Sequence, residues 1–384
     1  MRIETQTRRL EDLLRRLASR KGIPHAILAV ESGDRSFRWS AAYGIADEEG
    51  TPVRPQTPFF LASIDKTFTA CVVLRLCERG LLQLDKPIAA CLPQSLIRGL
   101  HRWNGKDYTG AITVWNLLSH TSGLPDWHLD RPKQGRPLLD SLLLEGDRDL
   151  SLAEILEWVR DELVPHFPPQ PPGLPRPRAR YCDTNFILLN ALIEQVAGRP
   201  LEEVYEKELF AGLGLARTWL AGRSQPRAES LEPAALWSGG KPLALPRLLR
   251  SIWGIYSTAK DGIRFLRALL RGECFRDAAT PALMQRWNRL GFPLDLAALR
   301  SPHWPIEYGL GLLRFRIPRL GPPLRLVGHS GSTGCWLFYC PQLDLFLAGS
   351  VDQAEAGPLP YRFLSGVLGA MEKIGSHAAH RKRR

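Results

Sequence analysis

A serine hydroxyl is almost never ionised at neutral pH, so a serine nucleophile needs a base beside it. A lysine three residues on can supply one, because i, i+3 spacing on a helix puts both side chains on one face a turn apart. Ser-x-x-Lys occurs three times in the chain: Ser63-Ile-Asp-Lys66, Ser238-Gly-Gly-Lys241 and Ser257-Thr-Ala-Lys260. Lysine serves as a base only if its pKa is lowered, which burial can do, so the surroundings choose among the three. Ser238 lies in a Gly-rich loop between Trp237 and Pro242, with no helix to fix its lysine. Ser257 reads as the N-cap of a helix on which Lys260, Arg264, Arg267 and Arg271 form one solvated basic stripe. Ser63 differs. It follows Phe59-Phe60-Leu61-Ala62 and opens a helix that runs to Arg79, stops at Gly80, and is apolar on nearly every side. Such a helix is buried. Lys66 is then desolvated, and Ser63 sits where the helix dipole favours developing negative charge. In the plainer reading, Ser63 only caps the helix and Lys66 snorkels to solvent.

Other chemistries lack their residues. The nine histidines include no H-E-x-x-H pair and no ligand-like spacing, so neither a metal nor another cofactor is expected. Gly328-His329-Ser330-Gly331-Ser332 approaches a nucleophile elbow but lacks the final glycine, and only His377 and His380 follow it. Seven scattered cysteines without a C-x-x-C pair argue against a disulfide framework and a zinc ribbon. No apolar run nears the ~18 residues of a membrane span, and the first nine residues carry charge without an apolar stretch. A cytoplasmic protein is expected. The net charge of +12 is spread along the chain, apart from Arg381-Lys382-Arg383-Arg384, and no basic patch is interleaved with aromatics. No specific nucleic-acid partner is expected.

The elements that must position Ser63 come from both ends. Residues 4–20 read as an amphipathic helix ended by Gly22. Strands are predicted over Ala26–Glu31 and Ser36–Ile45, around a Gly33-Asp34 turn, and again over Leu324–Val327, Cys335–Cys340 and Leu343–Val351. A last helix covers about 360–373. The middle is mostly helical, interrupted by the Pro-rich stretch Phe167–Pro177. The expectation is an α+β fold, an antiparallel sheet flanked by helices with a mostly helical domain inserted. Residues 1–66 and 250–376 would form the sheet domain, 67–249 the helical domain, and 377–384 a basic tail.

Three motifs then come into register. Ser63-Ile-Asp-Lys66 precedes Tyr181-Cys182-Asp183, the one tyrosine of eight with Asn or Asp two residues on. The third, His329-Ser330-Gly331, is the sole His/Lys-Ser/Thr-Gly. With Leu117–Asp126, Gly254–Ala259 and Tyr308–Leu312 in support, the chain over about 23–370 resembles the class C β-lactamase and penicillin-binding-protein family, which includes related esterases. The resemblance implies an acyl-enzyme on Ser63, with Lys66 and Tyr181 sharing the proton work as neutral amine or phenolate. Backbone N–H groups of Ser63 and Ser332 would form the oxyanion hole. His329, Gly331, Ser332 and Asp183 would form the substrate-binding and oxyanion side, with His329 hydrogen-bonding toward Tyr181 or a substrate carboxylate.

Two departures bear on substrate. Asp183 stands where β-lactamases of the family tend to have Asn, and a carboxylate accepts but cannot donate. His329 replaces a lysine found in many relatives. Both favour carboxylic esters or lactones as the small-molecule substrate. A β-lactamase or D-amino-acid peptidase on the same residues is the second reading, and an inactive binding protein of that fold the third. Asp183 has a competing role as N-cap of a helix over 184–197. Trp127 and Trp336 are candidates for an acyl-pocket wall or for core, and the Pro- and Arg-rich 128–180 stretch for the site entrance.

Overall fold

The computed structural model describes residues 2–290, 306–319 and 321–372. Its first helix, α1 (Arg2–Ala18), buries Leu10, Leu14 and Leu17, the i, i+4, i+7 stripe of an amphipathic helix. Strands β1 (His25–Ser32) and β2 (Arg38–Gly44) follow, then α2 (Asp65–Glu78), α3 (Asp183–Ala197) and α4 (Ala259–Leu270). The C-terminal part supplies β3 (Asn288–Arg289), β4 (Glu307–Tyr308), β5 (Leu313–Ile317), β6 (Leu324–Ser330), β7 (Trp336–Cys340), β8 (Leu345–Ser350) and helix α5 (Leu359–Glu372). The eight strands form one antiparallel sheet in the order β3-β4-β5-β6-β7-β8-β1-β2. The two ends of the chain therefore meet where β1 pairs with β8, Ile27 opposite Ser350 and Val30 opposite Leu347.

Alternation along the strands sorts side chains into two cores. Ala26, Leu28 and Val30 of β1 and Trp336 and Phe338 of β7 pack against α1 and α5. Ile27 and Ala29 of β1 and Leu337 of β7 point the other way, into a core shared with α4, α2 and α3. Trp336 thus fills the core beneath the terminal helices and walls no acyl pocket.

The architecture is the α+β arrangement expected, an antiparallel sheet with helices on both faces. The extra strands, β3 to β5, escaped prediction. Two of them hold only two residues, too few to show a period, although Leu313-Arg-Phe-Arg-Ile317 alternates clearly. The basic stripe on α4 is corrected. Lys260 and Arg264 are exposed, but Arg267 is 2% exposed. It pairs with Glu31 at 2.8 Å and donates to the Ser32 and Gly33 carbonyls, so it clamps α4 to the end of β1. Ser257 is not the cap of α4 either: Thr258 accepts the Asp261 N–H, while Ser257 lies buried in a short strand against Thr218. The basic tail 377–384 lies outside the described residues. No helix among the described residues is long and apolar enough to cross a membrane.

Candidate active site

The site is built at the start of α2. Strand Phe59–Phe60 pairs with Ile255–Ser257, and the chain then turns through Ala62 at φ +43° into a single 3-10 turn, Ala62–Ile64. A left-handed alanine is strained by about 1–2 kcal/mol. The strain is held by neighbours: Leu61 N–H donates to Ile255 O at 2.9 Å, and the Cys335 thiol donates to Leu61 O. Gly331 makes this approach possible. A Cβ there would lie 2.4 Å from Cys335 Sγ and 2.7 Å from Ala62 Cβ. Its N–H is spent on Cys335 O, so its part is to let the turn after β6 press on the nucleophile. The N–H groups of Ser63 and Ser332 donate to no acceptor among the described residues.

Helix α2 is buried from Lys66 to Leu74, as its all-round apolar sequence requires. Lys66 Nζ lies 3.2 Å from Ser63 Oγ, and its side chain is 6% exposed. The snorkelling alternative therefore fails. The expected neutral amine fails too. Burial alone would pull the Lys66 pKa down, but Asp183, in direct ion-pair contact, and Asp65 at 3.6 Å outweigh it and hold it above the ordinary lysine value. Lys66 is an ammonium in the resting site. Asp65 shows the reverse balance, its pKa raised to about 6 by burial with Lys66 opposing.

Tyr181 packs with its ring 5.5 Å from Lys66 Nζ. Burial, reinforced by Asp183, pushes its phenol well above the usual range, so it too rests protonated; only the Ser63 hydroxyl close by pulls it down. Its ring also stacks near His120, 4.5 Å between centroids, and His329, 6.2 Å. His329 does not hydrogen-bond Tyr181. Its Nδ1 lies 2.8 Å from Ser330 O, which requires a proton there, leaving Nε2 to accept from the Tyr308 hydroxyl at 3.3 Å. Burial, with the Lys66 charge, lowers its pKa to about 3, so the ring is neutral. His120 is fixed likewise: Nδ1 accepts from Cys182 N–H and Asn185 Nδ2, and burial keeps it neutral.

Asp183 is the first residue of α3, not its cap, and the Cys182 N-cap contributes no side-chain bond. Asp126 does the capping from outside, its Oδ2 accepting the Asp183 N–H at 2.7 Å. That leaves the Asp183 carboxylate free to turn inward. One oxygen meets Lys66, and the other lies 3.1 Å from His128 Nδ1, which is also 3.1 Å from Asp126 Oδ1. Burial would lower the His128 pKa, but the two carboxylates raise it overall. For Asp126, fully buried, burial would raise the pKa, but His128 and the backbone amides hold it below the usual range. The donor atoms of Asp126, His128 and Asp183 lie within 4.8 Å of one another, a spacing that can hold a cation. Here His128 Nδ1 itself lies between the two carboxylates and Lys66 contacts Asp183, so the chain's own cationic side chains already stand at this spacing.

Ser63, Lys66, Asp183 and Ser332 face a cleft of about 190 Å³ that opens to solvent. Its walls are apolar, from Phe60, Trp127, Leu139, Leu143, Leu248 and Ile252 among others. Trp127 thus lines the cleft, and Leu139 and Leu143 bring the 128–180 stretch to its edge on the helix Leu138–Glu145. Tyr181 and His329 stand outside the lining, grouped around Tyr308. Sequence reasoning missed Asp65, His120, Asp126, His128 and Tyr308 as parts of the site. Asp65 lies inside the Ser-x-x-Lys motif, His120, Asp126 and Tyr308 fall in stretches already matched to the family, and His128 lies two residues beyond one of them. Their meeting is long-range, and spacing alone carries no signal for it.

Comparison with known proteins identifies the family. Residues 10–361 match the family described as Beta-lactamase. Penicillin-binding protein 4* of Bacillus subtilis (strain 168) is 25% identical over 351 residues, covering 85% of this chain and 67% of that protein. Esterase EstB of Burkholderia gladioli is 29% identical over 200 residues, covering 52% of this chain and 47% of that protein. Among solved structures, a D-stereospecific amidohydrolase from Streptomyces sp. superposes with a TM-score of 0.71 at 25% identity, covering 95% of this chain and 98% of that one. A family match over nearly the whole length, on a sheet and site of this form, places the chain in the β-lactamase family of serine hydrolases.

Proposed function

We propose that the protein hydrolyses carboxylic esters or lactones with an apolar acyl group, through an acyl-enzyme on Ser63. The observation that carries the reading is the Lys66 Nζ contact to Ser63 Oγ at the floor of an apolar cleft. Loss of the Lys66 proton to solvent through the open cleft leaves a neutral amine beside the Asp183 carboxylate. Ser63 Oγ then bonds to the substrate carbonyl carbon as its proton passes to Lys66. The N–H groups of Ser63 and Ser332 receive the oxyanion. Collapse expels the alkoxide, which takes the proton back through Lys66 or Tyr181, and water then cleaves the acyl-enzyme by the same groups in reverse.

The charge balance favours esters and lactones over β-lactams and D-amino-acid peptides, which carry a carboxylate. The Lys66 charge is already met by Asp183 and Asp65, and His329 is neutral. The likeness to a D-stereospecific amidohydrolase supports amide cleavage as the second reading. Seven free cysteines fit a reducing, cytoplasmic setting. Parallel turnover of p-nitrophenyl esters and a chromogenic cephalosporin, with Ser63→Ala as control, tests the substrate class. Ester turnover lost in Ser63→Ala is the result expected; strong cephalosporin turnover without ester turnover would reverse the order.

A further inference from the structure

Asp183 has two partners, and only one of them touches the nucleophile. One oxygen holds Lys66, while the other lies 3.1 Å from His128 Nδ1. The groups that face His128 can be named element by element. Its own loop presents Asp126, whose Oδ1 accepts the His128 and Leu129 N–H groups and lies 3.1 Å from Nδ1. The same loop carries Asp130, which accepts the Asp126 N–H, lies 2.6 Å from His166 and is paired with the Arg180 guanidinium at 2.8 Å. Helix α3 presents Asp183, and α2 presents Lys66 and Asp65. The Trp127 ring, 4.8 Å away, is uncharged.

The count of charges in this pocket decides how tightly Lys66 keeps its proton. With a neutral His128, the carboxylates of Asp65, Asp126 and Asp183 face one ammonium. With a charged His128 they face two cations, and Asp183 is shared between them. A unit charge at 4–6 Å moves a neighbour's titration by ~1–3 pH units, so the state of His128 is felt at Lys66 through their common partner.

We propose that His128 is a positioning residue for the proton transfer: by engaging the second oxygen of Asp183, it weakens the hold of that carboxylate on Lys66 and makes the neutral amine reachable. The inference deepens the acyl-enzyme reading above and rests on it. The two cations act in opposition across one carboxylate. Loss of His128 leaves Asp183 to Lys66 alone and locks the ammonium; loss of the Asp183 charge frees Lys66 and disconnects His128.

A double-mutant cycle tests this on the full-length protein, with the pH profile of ester kcat/KM as readout. His128→Gln moves the rising limb alkaline by about 1 pH unit, because a cation has been removed and Lys66 holds its proton to higher pH. Asp183→Asn moves the limb acid. The double variant follows Asp183→Asn to within about 0.3 pH unit, since without that carboxylate His128 has nothing to act through. An unmoved limb in His128→Gln, or the same alkaline shift in the Asp183→Asn background, overturns the proposal. A second measurement needs no turnover: the His128 ring proton is titrated by NMR in Ser63→Ala. Its titration lies above that of an ordinary histidine and falls when Asp183→Asn is added; no fall overturns the proposal even if every variant is inactive. Failure of a fluorophosphonate to label Ser63 in the wild-type protein would instead sink the acyl-enzyme reading, and the NMR titration would still decide the His128–Asp183 coupling.

Discussion

Within reach of the Ser63 hydroxyl sits an ammonium, because two carboxylates outweigh the cost of burying it. That balance yields a prediction about stability that is separate from activity. Lys66→Met leaves Asp183 buried beside apolar walls, and breaking a buried pair from one side costs about 3–5 kcal/mol. Adding Asp183→Asn removes the stranded charge and recovers much of the loss in urea unfolding, while ester turnover stays absent. A double variant no more stable than Lys66→Met would show that the pair does not interact as described. Tyr181→Phe removes a proton carrier without a charge. It is expected to slow acylation by ~10²–10⁴-fold with an unchanged fold by circular dichroism. At this scale the sequence was legible where chemistry is local: Ser63 and Lys66 share a motif and meet at one turn's spacing. It was illegible where contact is tertiary. Nothing in Tyr181-Cys-Asp183 announces that Asp126, 57 residues earlier, would cap α3 and turn Asp183 inward.

The turn that delivers Ser63 depends on two elements wedged together. The strained Ala62 and the glycine after β6 touch, so the approach of β6 to α2 has no room for a methyl group. Gly331→Ala must displace Cys335 Sγ, Ala62 and the Leu61 carbonyl, at 2.4, 2.7 and 3.0 Å from the new Cβ. Overpacking of this kind costs about 1–3 kcal/mol, and the shift falls on the Ser63 and Ser332 amides. The expected outcome is a kcat loss larger than the stability loss accounts for, with KM little changed; a variant with wild-type kcat would show that the turn does not position the site. Long, periodic elements, α1, β1, β2, β6 to β8 and α5, were legible from their alternation or amphipathic stripe. The basic face of α4 was misread because helical spacing says which residues share a face, not which face meets the sheet. Arg267 shares that face with Lys260 and Arg264, yet Glu31 and two carbonyls at the end of β1 draw it inside.

Across the whole molecule, a sheet closed from both termini places β6 beside the helix that carries the nucleophile, and the site gathers several histidines whose protonation couples to folding. His120 and His329 are held neutral, primarily by burial. In the unfolded chain both titrate near 6.5, so below that pH the unfolded state binds protons the folded state does not. Stability conferred by their neutrality is complete above about pH 6.5 and falls with acidification, by about 1.4 kcal/mol per pH unit for each ring. His128, with its pKa raised, works in the other direction: its contribution is complete below about pH 6.5 and is lost as pH climbs through its folded value. Urea unfolding at pH 5 and pH 7 should show the acid loss, and His329→Gln should make that dependence shallower; an unchanged slope would mean that His329 titrates normally. The most direct test of the account is intact mass with peptide mapping after brief exposure to a p-nitrophenyl ester of an apolar acid. The prediction is a single acyl adduct on Ser63 in the wild type that forms at least ~10²-fold more slowly in Lys66→Ala. An adduct on another residue, or equal rates with and without Lys66, would contradict it.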